Sequence, residues 1–375
     1  MEQIKSINSL EKIKNKYILK QILDNLRPII LLKLLKYNKS LQNKIGKKIS
    51  DYKKEYSKIV IEIIPAENKY GTFIHIYNNK QYYHIYFNDD KEEIKRNEIK
   101  EGDKISKIKI VLDYEIKTLC NLFVYCKCIR KINFIKFNRK DIKSMSSMFY
   151  DCSSLEELNF SYFNTGNVTT LKSMFCGCCS LKELDLSNFN TDNITNMNNI
   201  FCNCSSLKEL NLSNFNTNKV TNMGGMFYRC SSLKELNLSN FNTNKVTNMG
   251  GMFYGCSSLK ELNLSNFNTN KVTSMNYMFY GCSSLKELNL SNFDTNNVIY
   301  MSYLFYGCSS LKELNLLNFN TNKVTNMNYM FYDCSSLQKL IVSNFDINKV
   351  DKKIDIFKNS SIKDLNIFNS YFEHK

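Results

Sequence analysis

Cysteine recurs at positions 152, 178, 204, 230, 256, 282, 308 and 334, every interval being 26 residues. Around each lies the same sentence, clearest as Val246-Thr-Asn-Met-Gly-Gly-Met-Phe-Tyr-Gly-Cys256-Ser-Ser-Leu-Lys-Glu-Leu-Asn-Leu264-Ser-Asn-Phe267-Asn-Thr269. A unit this short cannot bury its own apolar side, so copies must stack and share one core. The register extends backwards through Ile116, Leu119, Leu122, Phe123, Cys126, Ile129, Ile132, Phe134 and Phe137. It extends forwards through Phe357, Ile362, Leu365 and Ile367, with Asn359 in the cysteine slot. That gives about ten turns, atypical at both ends as capping of an array requires.

Two periodicities alternate in each copy. Leu259-x-x-Leu262-x-Leu264-x-x-Phe267 contains a short strand with Leu262 and Leu264 on one face. Val246, Met249, Met252 and Phe253 have helical spacing, which Gly250 and Gly251 limit to a turn or two. Short strand, corner, short helix, corner describes one coil of an α/β solenoid. Parallel strands joined by crossovers wind right-handed.

The pattern Leu-x-x-Leu-x-Leu-x-x-Phe lies within the leucine-rich-repeat pattern. The fuller sentence, Met-Phe-Tyr-Gly-Cys-Ser-Ser-Leu followed by Leu-Ser-Asn-Phe-Asn-Thr and Val-Thr-Asn-Met, resembles the BspA-like leucine-rich repeats over about residues 116–370. The resemblance implies a right-handed leucine-rich-repeat solenoid of short parallel strands plus short helices. It also implies the surface-adhesin or antigen role described for such proteins in bacteria and protists. This sequence shows no signal peptide, wall anchor or membrane span, so an adhesin would need an unrecognised export route. The expected location is cytoplasmic.

Charge divides the chain. The formal net charge is +16, of which residues 1–60 carry fifteen Lys/Arg against five Asp/Glu, and residues 141–375 twenty against nineteen. A basic stripe along the repeats is therefore missing, which disfavours a nucleic-acid partner for them. A membrane partner is likewise disfavoured. A composition of 43% hydrophobic and 23% charged residues excludes wholesale disorder.

Three segments follow: a basic helical module at 1–58, a β-rich cap at 59–112, and the solenoid at 113–375. In the first, Ile13, Tyr17, Ile18, Ile22 and Leu26, then Leu31, Leu34, Leu35 and Leu41, have amphipathic spacing, with Pro28 at the turn between the runs. The spacing Ile18-Leu19-x-x-Ile22-Leu23-x-x-Leu26 resembles the first helix of an F-box, with Lys14-Asn15 where Leu-Pro is usual. That resemblance implies a cullin-ligase adaptor as partner, with Ile18, Leu19, Ile22 and Leu26 as its contacts. In the second segment, 71–77 and 81–87 read as a hairpin across Asn78-Asn79-Lys80. That hairpin would put His75 and His84 on facing strands.

Candidate sites divide into chemistry and rows. A cysteine ladder gives each thiol two equivalent neighbours, so core packing is expected rather than disulfides. Cys176-x-x-Cys179, with Cys202 and Cys204 one coil on, nominally matches a metal half-motif, yet no histidine lies between 85 and 373. His75, His84 and His374 are the only histidines. No phosphate loop, nucleophile elbow or metalloprotease helix occurs, so no metal, cofactor or enzymatic activity is expected.

The rows are the better candidates. Flanking the strand leucines are Glu209, Asn211 and Ser213; Glu235, Asn237 and Ser239; Glu261, Asn263 and Ser265; and Glu287, Asn289 and Ser291. A lysine row precedes them, and Leu317, Ile341 and Lys339 break them in the last turns. A second row is aromatic: Tyr277, Tyr303 and Tyr329, with Tyr280, Tyr306 and Tyr332 three residues on. Either face serves as a protein-binding surface or simply as a self-stacked cover. The function expected is non-enzymatic protein–protein recognition, with the F-box-type substrate receptor and the exported adhesin as alternatives.

Overall fold

The computed structural model describes residues 10, 13–24, 26, 28–36, 38–46, 48–77, 79–345, 347 and 350–367. Asn78 and His374 lie outside them. The first element, α1 (Lys16–Asp24), starts where Asn15 Oδ1 accepts from the amides of Tyr17 and Ile18 at 2.9 and 3.3 Å. The dipeptide that departs from the F-box pattern is thus an ordinary N-cap. Helices α2 (Pro28–Lys36), α3 (Lys39–Ile45) and α4 (Ile49–Tyr56) follow. Their apolar faces enclose Leu19, Leu23, Leu31, Leu35 and Leu41, a core separate from that of the repeats. The module is tied to the rest by Lys54–Glu115 at 2.8 Å and by Lys136 Nζ donating to the Glu55 carbonyl at 2.9 Å.

The cap is built on β1 (Ile59–Pro65), which alternates buried and half-buried residues. It runs antiparallel to β5 (Ile108–Leu112) on one side and to β6 (Ile129–Phe137) on the other. The sheet continues outward to β3 (Tyr83–Phe87) and to β7 (Glu157–Asn159), in the order β3-β5-β1-β6-β7. Strand β6 belongs to the first coil and β7 to the second, so β1 covers the open edge of the repeat stack.

The expected hairpin does not form. β2 (Gly71–Thr72) pairs with β4 (Glu98–Ile99), and β3 pairs with β5 instead. Asn79 adopts φ 67° and leads into a 3₁₀ turn at Lys80–Tyr82, which turns the chain away. Beyond Thr72 the chain runs along the first coil, the His75 amide bonding the Leu122 carbonyl at 2.8 Å.

Among the described residues of the repeats the expected short helix is absent. Amides of Met249, Gly251, Phe253 and Gly255 donate forward to carbonyls of Ser274, Asn276, Met278 and Tyr280 in the next coil, at 2.6–3.1 Å. The alternate amides, of Met252, Tyr254 and Cys256, close turns to Met249, Gly251 and Phe253. Gly251 and Gly255, four residues apart, have φ 62° and 66°. A kink every four residues imitates the 3.6-residue period of a helix, which is why the spacing misleads.

The strand side also differs from expectation. Among the described residues of the repeats, regular strands occur only near the two ends: β6 and β7, then β8 (Glu313–Asn320), β9 (Lys339–Asn344) and β10 (Asp364–Ile367), the last three parallel. In the coils between, the backbone ladder shrinks to isolated bonds such as Lys208 N to the Lys182 carbonyl at 3.3 Å. Asparagine side chains bridge the coils instead. Asn240 Nδ2 donates to the carbonyls of Leu212 and Phe215 at 2.9 and 2.7 Å, and Asn266 and Asn292 repeat this one and two coils on.

The core is a set of columns. Phe123 through Phe357 stack at 5.4–5.8 Å with ring planes within 13°. All eight column cysteines are buried, free thiols. Each donates to the carbonyl of a phenylalanine 29 residues earlier, as Cys256 does to Phe227 at 3.2 Å. Buried Thr217 donates to the Asn242 carbonyl at 2.9 Å and accepts from the Asn242 amide at 2.7 Å, a pairing repeated up the threonine column.

Candidate functional site

On the strand side Glu209, Glu235, Glu261 and Glu287 are exposed, with the lysines beside them. Asn211, Asn237, Asn263 and Asn289 are exposed too, but each Oδ1 accepts from the amide of the residue two ahead, Ser213, Ser239, Ser265 or Ser291, at 3.0 Å. These asparagines therefore fold their own corner, and the Glu and Ser rows remain the outward chemistry. Where the rows break, Lys339 Nζ pairs with Glu313 at 2.7 Å and Leu317 is 39% exposed.

The aromatic face is a double ladder. Tyr228, Tyr254, Tyr280, Tyr306 and Tyr332 stack ring on ring at 4.1, 4.3, 4.5 and 4.9 Å. Beside them Tyr277, Tyr303 and Tyr329 stack at 4.7 and 4.9 Å. Stacked rings cover one another's faces, so the solvent meets their edges and hydroxyls. Burial, followed by the neighbouring phenols Tyr254 and Tyr306, pushes Tyr280 up to about 12.

The outer tyrosines sit on strained backbone, with φ 59°, 58° and 57°. The same slot one and two coils before Tyr277 holds Gly251 and Gly225 at φ 62° and 61°. Left-handed backbone costs a residue with a Cβ about 1–2 kcal/mol. Sequence reasoning found these tyrosines by their column but not the conformation; the glycines in the same column were the available signal.

The inner tyrosine column is interrupted by Cys176 and Cys202, which take its slots in two earlier coils and are buried. Among the described residues, no group of three or more His, Cys, Asp and Glu side chains is placed to hold a metal ion. The two histidines expected on facing strands do not meet. His75 Nε2 bonds the Val124 carbonyl at 2.6 Å, while His84 lies against Asp113 and Glu93 at 3.1 and 3.4 Å. On α1, Ile18 and Ile22 are 48% and 37% exposed, but Leu19 is wholly buried in the module's core and Leu26 is half-buried against it. Leu19 is therefore a packing residue, not a contact. No helix of the described residues is long and apolar enough to cross a membrane.

Among solved structures, a leucine-rich repeat protein from Bacteroides ovatus ATCC 8483 is similar at 19% identity, over 70% of this chain and 71% of that one, with a TM-score of 0.38. A TLR13–ssRNA13 complex is similar at 18% identity, over 58% of this chain and 40% of that one, with a TM-score of 0.23. No curated protein matches the chain. The family described as Mycoplasma protein of unknown function, DUF285, matches at residues 117–223, 177–262, 203–288 and 255–370. Those overlapping stretches take in more than half of the sequence, and the chain, a stack of 26-residue coils, belongs to that family.

Proposed function

We propose that the chain is a non-enzymatic protein-recognition scaffold whose main contact surface is the tyrosine double ladder of its later coils. The observation that carries this reading is the trio Tyr277, Tyr303 and Tyr329 on left-handed backbone. Folding does not ask for them, since glycine fills the same slot in Gly225 and Gly251. Their presence costs backbone energy and yields a surface of half-exposed phenols, the residue type enriched at interfaces. The Glu and Ser rows form a polar flank that sets orientation more than affinity. Repetition places like groups in lines and brings no unlike acid, base and nucleophile together, which supports a binding role over a catalytic one.

The test replaces all three tyrosines by glycine and compares proximity cross-linking of the full chain and the variant in cells that make it. Partners lost in the variant, with thermal stability unchanged or raised, support the reading. The same partners for both proteins overturn it.

A second reading has one observation in its favour, the exposed pair Ile18 and Ile22 on α1. It gives the helical module an adaptor of the cullin-ligase kind, with the solenoid holding the substrate. Co-purification of such an adaptor, lost on Ile18→Asp with Ile22→Asp, is its test; partners indifferent to that change exclude it.

A further inference from the structure

We propose that the junction of α4 with the first two coils is a docking cleft for an acidic polypeptide segment carrying an aromatic side chain, distinct from the tyrosine ladder. A trough of about 1000 Å³ opens there, between α4 and the corners that follow β6 and β7. Its walls are where the repeat abandons its own columns. Tyr162 occupies the slot that Asn214, Asn240, Asn266 and Asn292 use to bridge coils, and it is 64% exposed. One coil earlier the slot holds Lys136, which ties down the end of α4. The threonine column, buried from Thr165 to Thr321, is continued backwards by Arg139. A neutral polar corner has thus become basic and aromatic where the helical module docks.

The charges of the cleft are not self-satisfied. Lys53 on α4 and Lys140 on the first corner are exposed, and neither has an ion-pair partner among the described residues. The one carboxylate in the wall, Asp141, is held by Arg139 Nε at 2.7 Å and by Lys117 at 2.8 Å. Arg139 itself is spent on Asp141 and on the Ile116 carbonyl at 2.6 Å. Burial alone would raise Asp141; the hydrogen bonds from Arg139 and Lys117 outweigh it and keep the carboxyl at about 2, so this brace is charged throughout the physiological range. Tyr56, Tyr114 and Tyr162 supply the apolar walls.

That chemistry selects among anions. Bidentate phosphate recognition uses the planar fork of a free guanidinium, and among the described residues of this wall the one arginine is saturated, leaving only point-charge ammonium groups. Two ammonium groups on flexible stems, spread along an open trough beside phenol rings, suit several carboxylates and one ring on an extended chain. Such a segment places its ring against Tyr162 and its acids over Lys53 and Lys140.

The experiment titrates the full chain into a fluorescent Asp/Glu-rich peptide bearing a tyrosine, into its Asn/Gln counterpart, and into a labelled ATP. The acidic peptide is expected to bind, its affinity falling with salt. The double reversal Lys53→Glu with Lys140→Glu should weaken it by about tenfold or more, since rim charges act mainly through long-range attraction. Both lysines are exposed, so the melting temperature should hold. Tyr162→Ala should cost several-fold and leave the salt dependence in place. Equal binding of the Asn/Gln peptide, indifference to the double reversal, or tighter binding of ATP than of the acidic peptide would each overturn the proposal. Loss of binding on the Tyr277/Tyr303/Tyr329 glycine variant would also do so, by moving the contact to the ladder.

Discussion

The two long sides of the repeat stack are built by opposite means. On the turn side every coil sends backbone amides to the next, at 2.6–3.1 Å for the coil of Gly251, and phenylalanines stack just beneath. On the strand side, where a sheet would be expected, the middle coils are joined chiefly by asparagine amides. The leucines register this. Leu210, Leu236, Leu262 and Leu288 keep 7–9% exposure, whereas Leu314 and Leu340, inside the terminal sheet, fall to 0–1%. Identical sequence does not make a ladder on its own: the strand side closes only where β7 or β9 differs from the repeat or a cap pins it. Side-chain bridges tolerate a looser spacing than N–H···O=C ladders, because an asparagine can rotate to reach two carbonyls.

The sharpest test of this contrast is alkaline. Burial holds the thiols of Cys230, Cys256, Cys282 and Cys308 well above their ordinary range, and Cys334 up to about 12. The folded state therefore keeps these protons while the unfolded chain releases them above about pH 8.5. Stability is complete below that pH and falls as pH rises past it, by on the order of 1 kcal/mol per thiol one unit above. The remaining column thiols, Cys152, Cys178 and Cys204, are raised by the same burial, so the whole column is sensitive to alkali. Denaturant melts at pH 8 and pH 9.5 should differ drastically; similar midpoints would mean the column is not buried as described.

Next in size is a pair of truncations. Phe253→Ala removes a ring from the turn-side stack and should cost about 3–5 kcal/mol. Leu262→Ala, on the looser strand side, should cost about 2–3 kcal/mol. A reversed order in chemical melts would break the comparison.

Asn240→Ala should cost about 1–2 kcal/mol by leaving the carbonyls of Leu212 and Phe215 without their side-chain donor. Its effect on hydrogen exchange should be local, faster at Leu212 and Leu238 and unchanged at Phe227 and Phe253. Even without the substitution, amides of Leu262 and Leu264 should exchange about tenfold or more faster than that of Leu316.

The smallest expected effect lies in the cap. Arg96 beside Asp103, at 2.6 and 2.8 Å, and the Lys100 amide hold its carboxyl at about 2. This folded value is below the unfolded one, so the stabilisation is present above about pH 4 and disappears as pH falls toward 2. Asp103→Asn should flatten the acid limb of the stability curve; an unaltered limb would deny Asp103 that share.

Much of this architecture was legible beforehand. The 26-residue interval fixed the coil, the apolar columns and the burial of the cysteines. What failed did so for definable reasons. The four-residue kink at Gly251 and Gly255 has nearly the periodicity of a helix, so Met249 and Met252 read as helical. The strand at Leu262 and Leu264 was inferred from alternation, which reports burial and not hydrogen bonding. The 71–87 hairpin looked sound locally, but β3 found a longer partner in β5. Tyr162 and Arg139 were visible as misfits in their columns, yet only the docking of α4 gives them a common purpose.

The threonine column carries one more implication. Because Thr217, Thr243 and Thr269 each offer the same donor and acceptor to the next coil, a chain folding one whole coil out of step would satisfy its interior equally well. Such a slip costs nothing in the middle and everything at the margin, where the repeat strand that β1 pairs with is β6. The antiparallel strand β1 is therefore the zero mark of a ruler whose other divisions are interchangeable. Its loss should convert one native state into a family of shifted ones that no local probe in the repeats can tell apart.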